Sequence, residues 1–458
     1  MKISFHGADR DVTGSCHRIE LAGLQLLVDC GMFQGGRELD AENAEPFGFD
    51  ASRINAVLLT HAHLDHCGRL PLLVKAGFRG EIICTAPTAE LTRIVLNDAA
   101  RIAEEDAART SRRRGGAGAV KPLYTREDVE AVLERFGRVV GYKQSIALGE
   151  GVTASFHDAG HILGSASVLL EVEEDGRTRR LLLSGDIGNR GRPILRDPAP
   201  PKADIVLMET TYGDRQHRSL QASVDELIEA IDGTLKRHGN VVIPSFALER
   251  TQEILYYLRE ATENGRLPRN LPVFLDSPMA VSTVEVYRRY PEFFDENARA
   301  VLANGSDPFG MPGLRMTREH EDSMGINRIE GGAVIIAGSG MCTGGRVRHH
   351  LRHNLGHDRS AVVFVGFAAR GTLARQIIDG ARYVQLFGEQ VPVRARIHTI
   401  NGFSAHADQS ELLAWHAAAG GRERTILVHG EESVMTGFAS LLRDVPVSMP
   451  EPGSELVL

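Results

Sequence analysis

Paired cysteines are absent from the sequence. The chain has an odd number of cysteines and no CxxC pair, the five being Cys16, Cys30, Cys67, Cys84 and Cys342. Disulfide frameworks and cysteine zinc sites both depend on paired, closely spaced cysteines. We therefore expect reduced thiols that fill buried positions, and no disulfide-stabilised fold.

Long apolar segments are also lacking. No apolar run approaches the roughly 18 residues that a membrane-spanning helix needs. The first residues, MKISFHGADRDVTGS, contain neither the basic nor the apolar segment of a signal peptide. We therefore expect no membrane association and a cytoplasmic location.

Positive charge and aromatic residues are scarce. Lysine and arginine total 52 against 60 acidic residues, which gives a formal net charge of −8, and aromatic residues make up 6% with one tryptophan. A protein that binds nucleic acid through bulk positive charge, or through extensive base stacking, is not favoured by this composition. Any polyanion must be bound by a local cluster of residues.

The composition is otherwise that of a folded protein, since 42% of the 458 residues are apolar and 24% are charged. This length favours two domains. The first, up to about Glu209, is dominated by short apolar segments that predict strands. They are LQLLVD (24–29), INAVLL (54–59), GEIICT (80–85), RLLLSGD (180–186) and DIVLME (204–209).

Between these strands, a helix is predicted from Ala86 to about Asp106. It is followed by RTSRRRGGAGAVK (109–121), whose arginines and glycines predict a mobile surface loop. The loop is either simply solvated or a contact for a phosphate backbone.

A second pattern begins after Glu209 and continues to about Arg396. Predicted helices, such as 223–239 and 247–265, alternate with short apolar strands in NVVIPSF, PVFLDS, AVIIAGSG and SAVVFVGF. Fully apolar strands between helices are typical of a parallel sheet covered on both faces. We expect a second α/β domain over residues 212–396.

The clearest chemical motif is THAHLDHCG (60–68), directly after an apolar strand. In an extended turn His61 and His63 point the same way and suit one zinc ion, while Asp65 and His66 turn towards a neighbouring position. Histidine and aspartate are seldom buried without partners, so a purely structural role is disfavoured. The motif predicts two metal ions.

Two metal ions need more ligands than this motif supplies. DAGHILGSAS offers His161 in a glycine-flanked turn, and LLLSGDIGN offers Asp186 at the end of an apolar strand. Either residue alone is equally consistent with an ordinary turn. Asp29, after LQLLV, is better interpreted as a carboxylate that orients a ligating histidine or a metal-bound water.

The ordered set of these residues resembles the motifs of the metallo-β-lactamase fold, an αββα sandwich with its metals at one edge. The segments LMETTYGDR, NGFSAHAD and ILVHGEE resemble motifs A, B and C of the β-CASP nucleases, carried by Glu209, His406 and His429. SFALERTQEILY, DSPMA and AGSGMCTGGRVRHHL resemble the inserted domain of bacterial β-CASP ribonucleases and of the endonuclease subunit of the pre-mRNA cleavage and polyadenylation factor. The resemblance implies domains over 1–211 and 397–458 that are interrupted by the insertion.

The resemblance also implies a site with two zinc ions per chain. One zinc would be bound by His61, His63 and His161, the other by Asp65, His66 and His429, with Asp186 bridging both. A bridging hydroxide would attack phosphorus, and Asp65 and Asp29 would belong to the catalytic set. His406 is the candidate general acid, with Glu209 raising its pKa. Alternatively, His406 only contacts phosphate or orients a ligand.

RNA contacts are predicted in the inserted domain. The glycine-rich turn at Ser339 and Gly340 offers backbone amides to an anion, and Arg346, Arg348 and Arg352 follow it closely. A solvated helix face is the alternative for these arginines. Ser404 is a weaker phosphate candidate.

The resemblance predicts a ribonuclease acting on single-stranded RNA, because His429 occupies a position where DNA-directed members usually carry valine. Without a KH-like extension or a large domain after motif C, we expect an endonuclease. The alternatives are a 5′ exonuclease, a small-molecule hydrolase of the lactonase or glyoxalase type, and a non-catalytic scaffold. A homodimer is also considered.

Overall fold

The computed structural model describes residues 1–35, 37–113, 120–174, 176–366 and 368–458. The chain divides into two compact units. The first contains Met1–Arg192, Arg196–Gln216 and His406–Leu458, and the second contains Pro193–Leu195 and His217–Ala405.

The strands and helices are numbered in chain order. The strands are β1 (Lys2–Phe5), β2 (His17–Leu21), β3 (Leu24–Val28), β4 (Ala56–Leu58), β5 (Glu81–Cys84), β6 (Phe136–Val139), β7 (Ser145–Gly149), β8 (Val152–Asp158), β9 (Ala166–Glu174), β10 (Arg177–Leu183), β11 (Ala203–Glu209), β12 (Val241–Pro244), β13 (Val273–Leu275), β14 (Leu314–Met316), β15 (Val334–Ala337), β16 (Ala361–Phe364), β17 (Tyr383–Leu386), β18 (Glu389–Pro392), β19 (Arg396–Thr399), β20 (Gly420–Val428), β21 (Val447–Ser448) and β22 (Glu455–Val457). The α-helices are α1 (Arg37–Glu42), α2 (Leu64–Cys67), α3 (Leu70–Lys75), α4 (Ala86–Arg113), α5 (Arg126–Leu133), α6 (Leu220–Leu235), α7 (Arg250–Glu263), α8 (Pro278–Arg289), α9 (Glu296–Ala303), α10 (His320–Ile326), α11 (Val347–Asn354), α12 (Leu373–Ile378), α13 (Gln409–Ala419) and α14 (Glu432–Ala439). Short 3₁₀ helices span Ala51–Arg53 and Pro291–Phe293.

The first unit contains two seven-stranded sheets that pack face to face. Their strand orders are β22-β1-β2-β3-β4-β5-β6 and β21-β20-β11-β10-β9-β8-β7. The alternation of side chains along β10 shows how the layers form. Leu181 and Leu183 join the core between the sheets, whereas Leu182 joins a separate cluster on the outer face.

Helices cover the outer faces of this sandwich. Leu412 and Trp415 of α13, with Met435 and Phe438 of α14, pack in the outer cluster of the second sheet. The first sheet carries α4, which contacts β6 and packs with α5. The αββα architecture predicted from the motifs is confirmed.

The second unit contains a six-stranded sheet of order β14-β13-β15-β12-β16-β19, in which every described strand pair is parallel. All four residues of each of the strands β12, β15 and β16 are buried, as the apolar runs predicted. β17 and β18 form a separate antiparallel hairpin. The predicted parallel α/β domain is confirmed.

The borders of the inserted unit lie later than predicted. The chain leaves the first unit after Gln216 and returns at His406, whereas the sequence suggested 212–396. The second border moves because β19 (Arg396–Thr399) pairs with β16 and so completes the inserted sheet. The return of the chain also allows β20 to pair in parallel with β11, from Ile205 opposite Arg424 to Glu209 opposite Val428.

Helix α4 extends past the predicted end at Asp106. Arg101 pairs with Asp98 and Glu105, and Arg109 pairs with Asp106, at the spacings that stabilise an exposed helix. The prediction of a loop is therefore wrong for residues 109–113, which are helical, and residues 114–119 lie outside the described part. Within the described ranges no helix, α4 included, is long and apolar enough to cross a membrane.

Candidate metal centre

The predicted ligands meet at one edge of the sandwich because each follows the end of a strand. His61 and His63 come after β4, and the short helix α2 carries Asp65 and His66. The other sheet supplies the rest, each from a turn beyond a strand: His161 after β8, Asp186 after β10 and His429 after β20. Strands far apart in sequence thus deliver seven side chains to one place.

The first ligand group contains His61, His63, His161 and Asp186. His63 Nδ1 lies 3.1 Å from His61 Nε2 and 3.0 Å from His161 Nε2. Asp186 Oδ2 lies 3.5 Å from the Nε2 atoms of both His61 and His161. Four ligands at zinc's usual bond lengths are roughly 3.3 Å apart at the corners of a tetrahedron. The spacing of this group therefore fits a zinc ion.

The second group contains Asp65, His66 and His429. Asp65 Oδ2 lies 3.6 Å from His429 Nε2. Asp186 approaches this group through its other oxygen, with Oδ1 3.2 Å from His66 Nε2 and 3.8 Å from His429 Nε2. Asp186 thus presents one oxygen to each group, as a carboxylate that bridges two ions would.

Three buried polar atoms at this point support a metal site. His66 Nε2, His429 Nε2 and Asp186 Oδ1 have no hydrogen-bond partner among the described residues. Burying such atoms without a partner is costly, so most buried polar atoms in proteins are paired. The three atoms face one another, and a bound metal ion would satisfy all of them together.

The protonation of the first group also suits metal binding, which requires deprotonated ligands. Burial and the neighbouring His66 hold the pKa of His61 well below its usual value. Burial lowers the pKa of His63 to about 4. Both imidazoles are therefore neutral at pH 7, with lone pairs available to a cation.

The second group attracts positive charge. Burial opposes protonation of His66, but Asp186 and Asp29 together raise its pKa well above the ordinary value. Burial likewise opposes ionisation of Asp65, yet the nearby His429 ring and the charge of His66 lower its pKa to about 2. A proton and a metal ion would compete for the same carboxylate-rich position.

Asp29 orients the ring of His66 through a contact with Nδ1. Its carboxylate lies 2.7 Å from His66 Nδ1 and accepts hydrogen bonds from the backbone N–H and the hydroxyl of Thr60, at 2.8 and 2.7 Å. Asp29 is buried and has a φ of 60°. This arrangement fixes the ring of His66 so that Nε2 faces Asp186, as a carboxylate behind a metal-binding histidine does.

Two threonines that the sequence reasoning missed orient further ligands. Thr60 Oγ1 lies 3.1 Å from His61 Nδ1, and Thr211 Oγ1 lies 3.1 Å from His429 Nδ1. Each threonine stands two residues beyond a strand end. A threonine that lies close in sequence to a predicted ligand or to a motif carboxylate is the signal that could have identified both residues.

His406 and Glu209 form a pair beside Asp186. Glu209 Oε1 lies 3.1 Å from His406 Nδ1 and accepts a hydrogen bond of 2.7 Å from the backbone N–H of Ile187. Glu209 is buried, whereas 21% of the His406 side chain is exposed. Burial opposes the charged ring, but Glu209 and Asp186 raise the pKa of His406 to about 9. His406 therefore holds its proton at neutral pH.

Models of known families match nearly the whole chain. Residues 9–244 match the metallo-beta-lactamase superfamily, 251–377 match the Beta-Casp domain, and 390–450 match the Zn-dependent metallo-hydrolase RNA specificity domain. The chain belongs to the metallo-β-lactamase superfamily, in its β-CASP branch. The family predicted from the motifs is confirmed.

Characterised relatives resemble the β-CASP chain along its length. It is 45% identical over 443 residues to Ribonuclease TTHA0252 of Thermus thermophilus, covering 96% of both chains. It is 30% identical over 465 residues to an RNase J-like protein of Methanocaldococcus jannaschii, covering 99% of both. Transcription termination factor FttA of the same archaeon is 29% identical over 455 residues, which are 97% of this chain and 69% of that protein.

A solved structure shares the fold. The crystal structure of a protein of unknown function from Enterococcus faecalis has a TM-score of 0.58 and 12% sequence identity. The match covers 100% of the β-CASP chain and 99% of the other. At this level of identity the likeness concerns the fold alone.

Arg346 has several polar partners within the β-CASP domain. Its guanidinium pairs with Asp276 at 2.7 Å and donates to the backbone carbonyls of Thr317 and Arg318. Asp276 is fully buried, and it also binds His350. Arg346, predicted to contact phosphate, is thus held inside its own domain by a carboxylate and two carbonyls.

Arg348 and Arg352 also have partners in the β-CASP domain, but near the surface. The Arg348 guanidinium lies 5.0 Å from the centre of the Phe387 ring, and Arg352 pairs with Glu389 at 2.8 Å. Exposed pairs of this kind exchange readily with solvent. Phosphate contact by these two arginines, and by Ser339, Gly340 and Ser404, stays a prediction.

Proposed function

We propose that this protein is a zinc-dependent ribonuclease that hydrolyses phosphodiester bonds within single-stranded RNA. The observation that carries the proposal is the second ligand group, where His429 stands beside Asp65 and His66. A histidine at this position is what the resemblance to RNA-directed β-CASP nucleases predicts. The RNA specificity model matches residues 390–450, which include both His406 and His429, and a relative at 45% identity is named a ribonuclease.

In this proposal two zinc ions are bound per chain. His61, His63 and His161 would bind one ion, Asp65, His66 and His429 the other, and Asp186 both. When bound, the zinc ions would lower the pKa of a water to supply the nucleophile and would offset negative charge on the phosphate oxygens. Asp29, Thr60 and Thr211 keep the histidine rings in the orientations that binding requires.

His406 supplies the proton that the leaving oxygen needs. Its Nδ1 faces Glu209, so Nε2 is the atom that would carry the proton to be transferred. The buried carboxylate of Glu209 keeps the ring charged until an oxyanion forms beside it. Proton transfer then neutralises the leaving alkoxide and prevents it from attacking phosphorus again.

The proposal is tested with circular single-stranded RNA, which has no end for an exonuclease to use. Purified zinc-loaded protein should open the circle, and linear RNA labelled at either end should give internal fragments. A DNA circle of the same sequence serves as the matched substrate control. Chelation should stop cleavage and added zinc should restore it.

Three outcomes would contradict the proposal, and each would reject a different part of it. An intact circle together with release of mononucleotides from linear 5′-monophosphorylated RNA would assign a 5′ exonuclease and reject the endonuclease. Equal cleavage of DNA would reject the preference for RNA. Failure of the zinc-loaded protein to cleave any RNA would reject the ribonuclease itself.

A further inference from the structure

A pocket lies at the carboxyl edge of the β-CASP sheet, beyond the ends of the three adjacent strands β15, β12 and β16. Pro244 and Phe246 come from the end of β12, Gly340 from the turn after β15, and Phe364 with Gly366 from the end of β16. The chain passes from β12 to one side of the sheet and later crosses to β16 on the other. Such a topological switch point is where open α/β sheets bind their ligands.

Phe246 is an exposed aromatic residue in this pocket. Its side chain is 46% exposed, whereas the large apolar residues of the neighbouring strands are buried. The backbone beneath it is held firmly, because Thr251 Oγ1 donates to the carbonyl of Phe246 at 2.7 Å and Gln252 Nε2 donates to that of Ala247 at 3.1 Å. The flat apolar ring of Phe246 is therefore exposed to solvent, and the backbone that carries it is held by hydrogen bonds.

The glycine turn lies directly against this ring. A Cβ atom placed on Gly340 would be 3.0 Å from the Phe246 ring carbons, so a larger residue would crowd the ring. The N–H groups of Gly340 and Met341 donate to no acceptor in the described part of the chain. Exposed backbone amides of a glycine turn favour anionic oxygens. An aromatic face and anion-binding groups thus stand side by side.

We propose that Phe246 is a stacking platform for one base of the single-stranded RNA, with the adjoining phosphate bound by the amides of Gly340 and Met341. This inference rests on the proposed function and adds a substrate-binding position in the inserted domain. A nucleotide matches both halves of the pocket, since every base has a π face and carries a phosphate beside it. The platform is therefore tolerant of sequence.

Composition alone disfavoured base stacking, because aromatic residues are only 6% of the chain. A single aromatic ring is sufficient to stack one base when the fold exposes it at the edge of the sheet where ligands bind. Stacking on an aromatic side chain strengthens single-strand binding by about 5- to 100-fold for each base. The loss of Phe246 should raise the KM for RNA by that factor.

The test compares two exposed aromatic residues of the same domain. Tyr383, on the β17–β18 hairpin, is 56% exposed and lies outside the pocket. In the zinc-loaded protein, Phe246→Ala should raise the KM for single-stranded RNA about 5- to 100-fold, whereas Tyr383→Ala should leave it unchanged. Phe246→Trp should preserve or tighten binding. The ratio of mutant to wild-type KM should be equal at two salt concentrations, because stacking releases no counterions.

Substrates with a single abasic position identify the contact itself. Moving the abasic position along the strand should reveal one site that raises the wild-type KM, and there Phe246→Ala should cause no further loss. If Phe246→Ala and Tyr383→Ala behave alike on RNA that the wild type cleaves, the platform is rejected while the ribonuclease stands. A change of oligomeric state in Phe246→Ala, without an effect of abasic positions, would likewise overturn the platform. If the wild type does not cleave RNA, the proposed function itself has failed.

Discussion

Glu209 Oε1 lies 3.1 Å from Nδ1 of His406 and raises the pKa of that imidazole to about 9 against the cost of its burial. This pair predicts how His406→Ala will behave. Zinc content should stay near that of the wild type, while RNA cleavage should fall about 10²- to 10⁴-fold, the usual worth of a general acid. Bis-p-nitrophenyl phosphate, whose leaving group needs little protonation, should lose much less. Equal losses on both substrates would exclude proton donation.

Glu209→Gln should change the pH profile of the same reaction. A general acid works only while it is protonated, so activity falls as the pH rises through the pKa of His406. Removing the carboxylate charge lowers that pKa. The alkaline limb of kcat should therefore move to lower pH in Glu209→Gln, with little change on the acidic side. An unmoved alkaline limb would show that another group supplies the proton.

Asp186→Ala should abolish both zinc binding and cleavage, because the carboxylate is close to both ligand groups. Elemental analysis of the purified variant should find far less than two zinc ions per chain. Asp276→Asn is the matched control, since Asp276 is an equally buried carboxylate that belongs to the other unit. The control should retain its zinc. An active Asp186→Ala enzyme would contradict the bridging role.

Thr211→Val should weaken the second zinc site without removing it. The hydroxyl lies 3.1 Å from His429 Nδ1, and partners that orient a metal-binding histidine usually contribute about 10- to 100-fold in affinity. Titration with a competing chelator measures this change directly. Thr211→Ser keeps the hydroxyl and should bind zinc as the wild type does. If Thr211→Val binds zinc as tightly as the wild type, the hydroxyl does not contribute to the second site.

Arg346→Ala and Arg352→Ala, two substitutions in one segment, should differ in their effect on the free energy of unfolding. Arg346 binds the buried Asp276 and two carbonyls, so Arg346→Ala should lower the free energy of unfolding by about 1–3 kcal/mol. Arg352 pairs with Glu389 at the surface, and Arg352→Ala should cost about 0–1 kcal/mol. Urea unfolding measures both. If Arg352 contacts phosphate, its loss should also flatten the salt dependence of RNA binding, by a slope of about 0.7.

The side chains that form the candidate metal centre could be picked out because they stand in short local sequence motifs. Three histidines and an aspartate within THAHLDHCG have few structural uses, and His161, Asp186 and His429 each follow an apolar strand. Parallel and antiparallel strands of a sandwich bring such ends together. The threonines behind the rings were missed because threonine is common at strand ends, and only the fold shows what its hydroxyl faces.

Arg346 shows why a charge cluster does not reveal the partners of its members. Arg346 follows a glycine turn, but its partner Asp276 lies 70 residues earlier in sequence. No local pattern connects them. Although burial opposes ionisation, hydrogen bonds from His350, Thr317, Ser323 and Arg346 hold the pKa of Asp276 well below its usual range. The carboxylate is therefore charged, and a cation must accompany it.

The pairing of β11 with β20 has a consequence for how the protein is made. Glu209 lies opposite Val428, so the sheet that supplies His161 and Asp186 keeps one strand edge open until the whole inserted unit has been synthesised. A contact of such long sequence separation forms late in folding. His429 directly follows that last strand. A nascent chain therefore carries an incomplete second ligand group until the ribosome has passed the entire insertion.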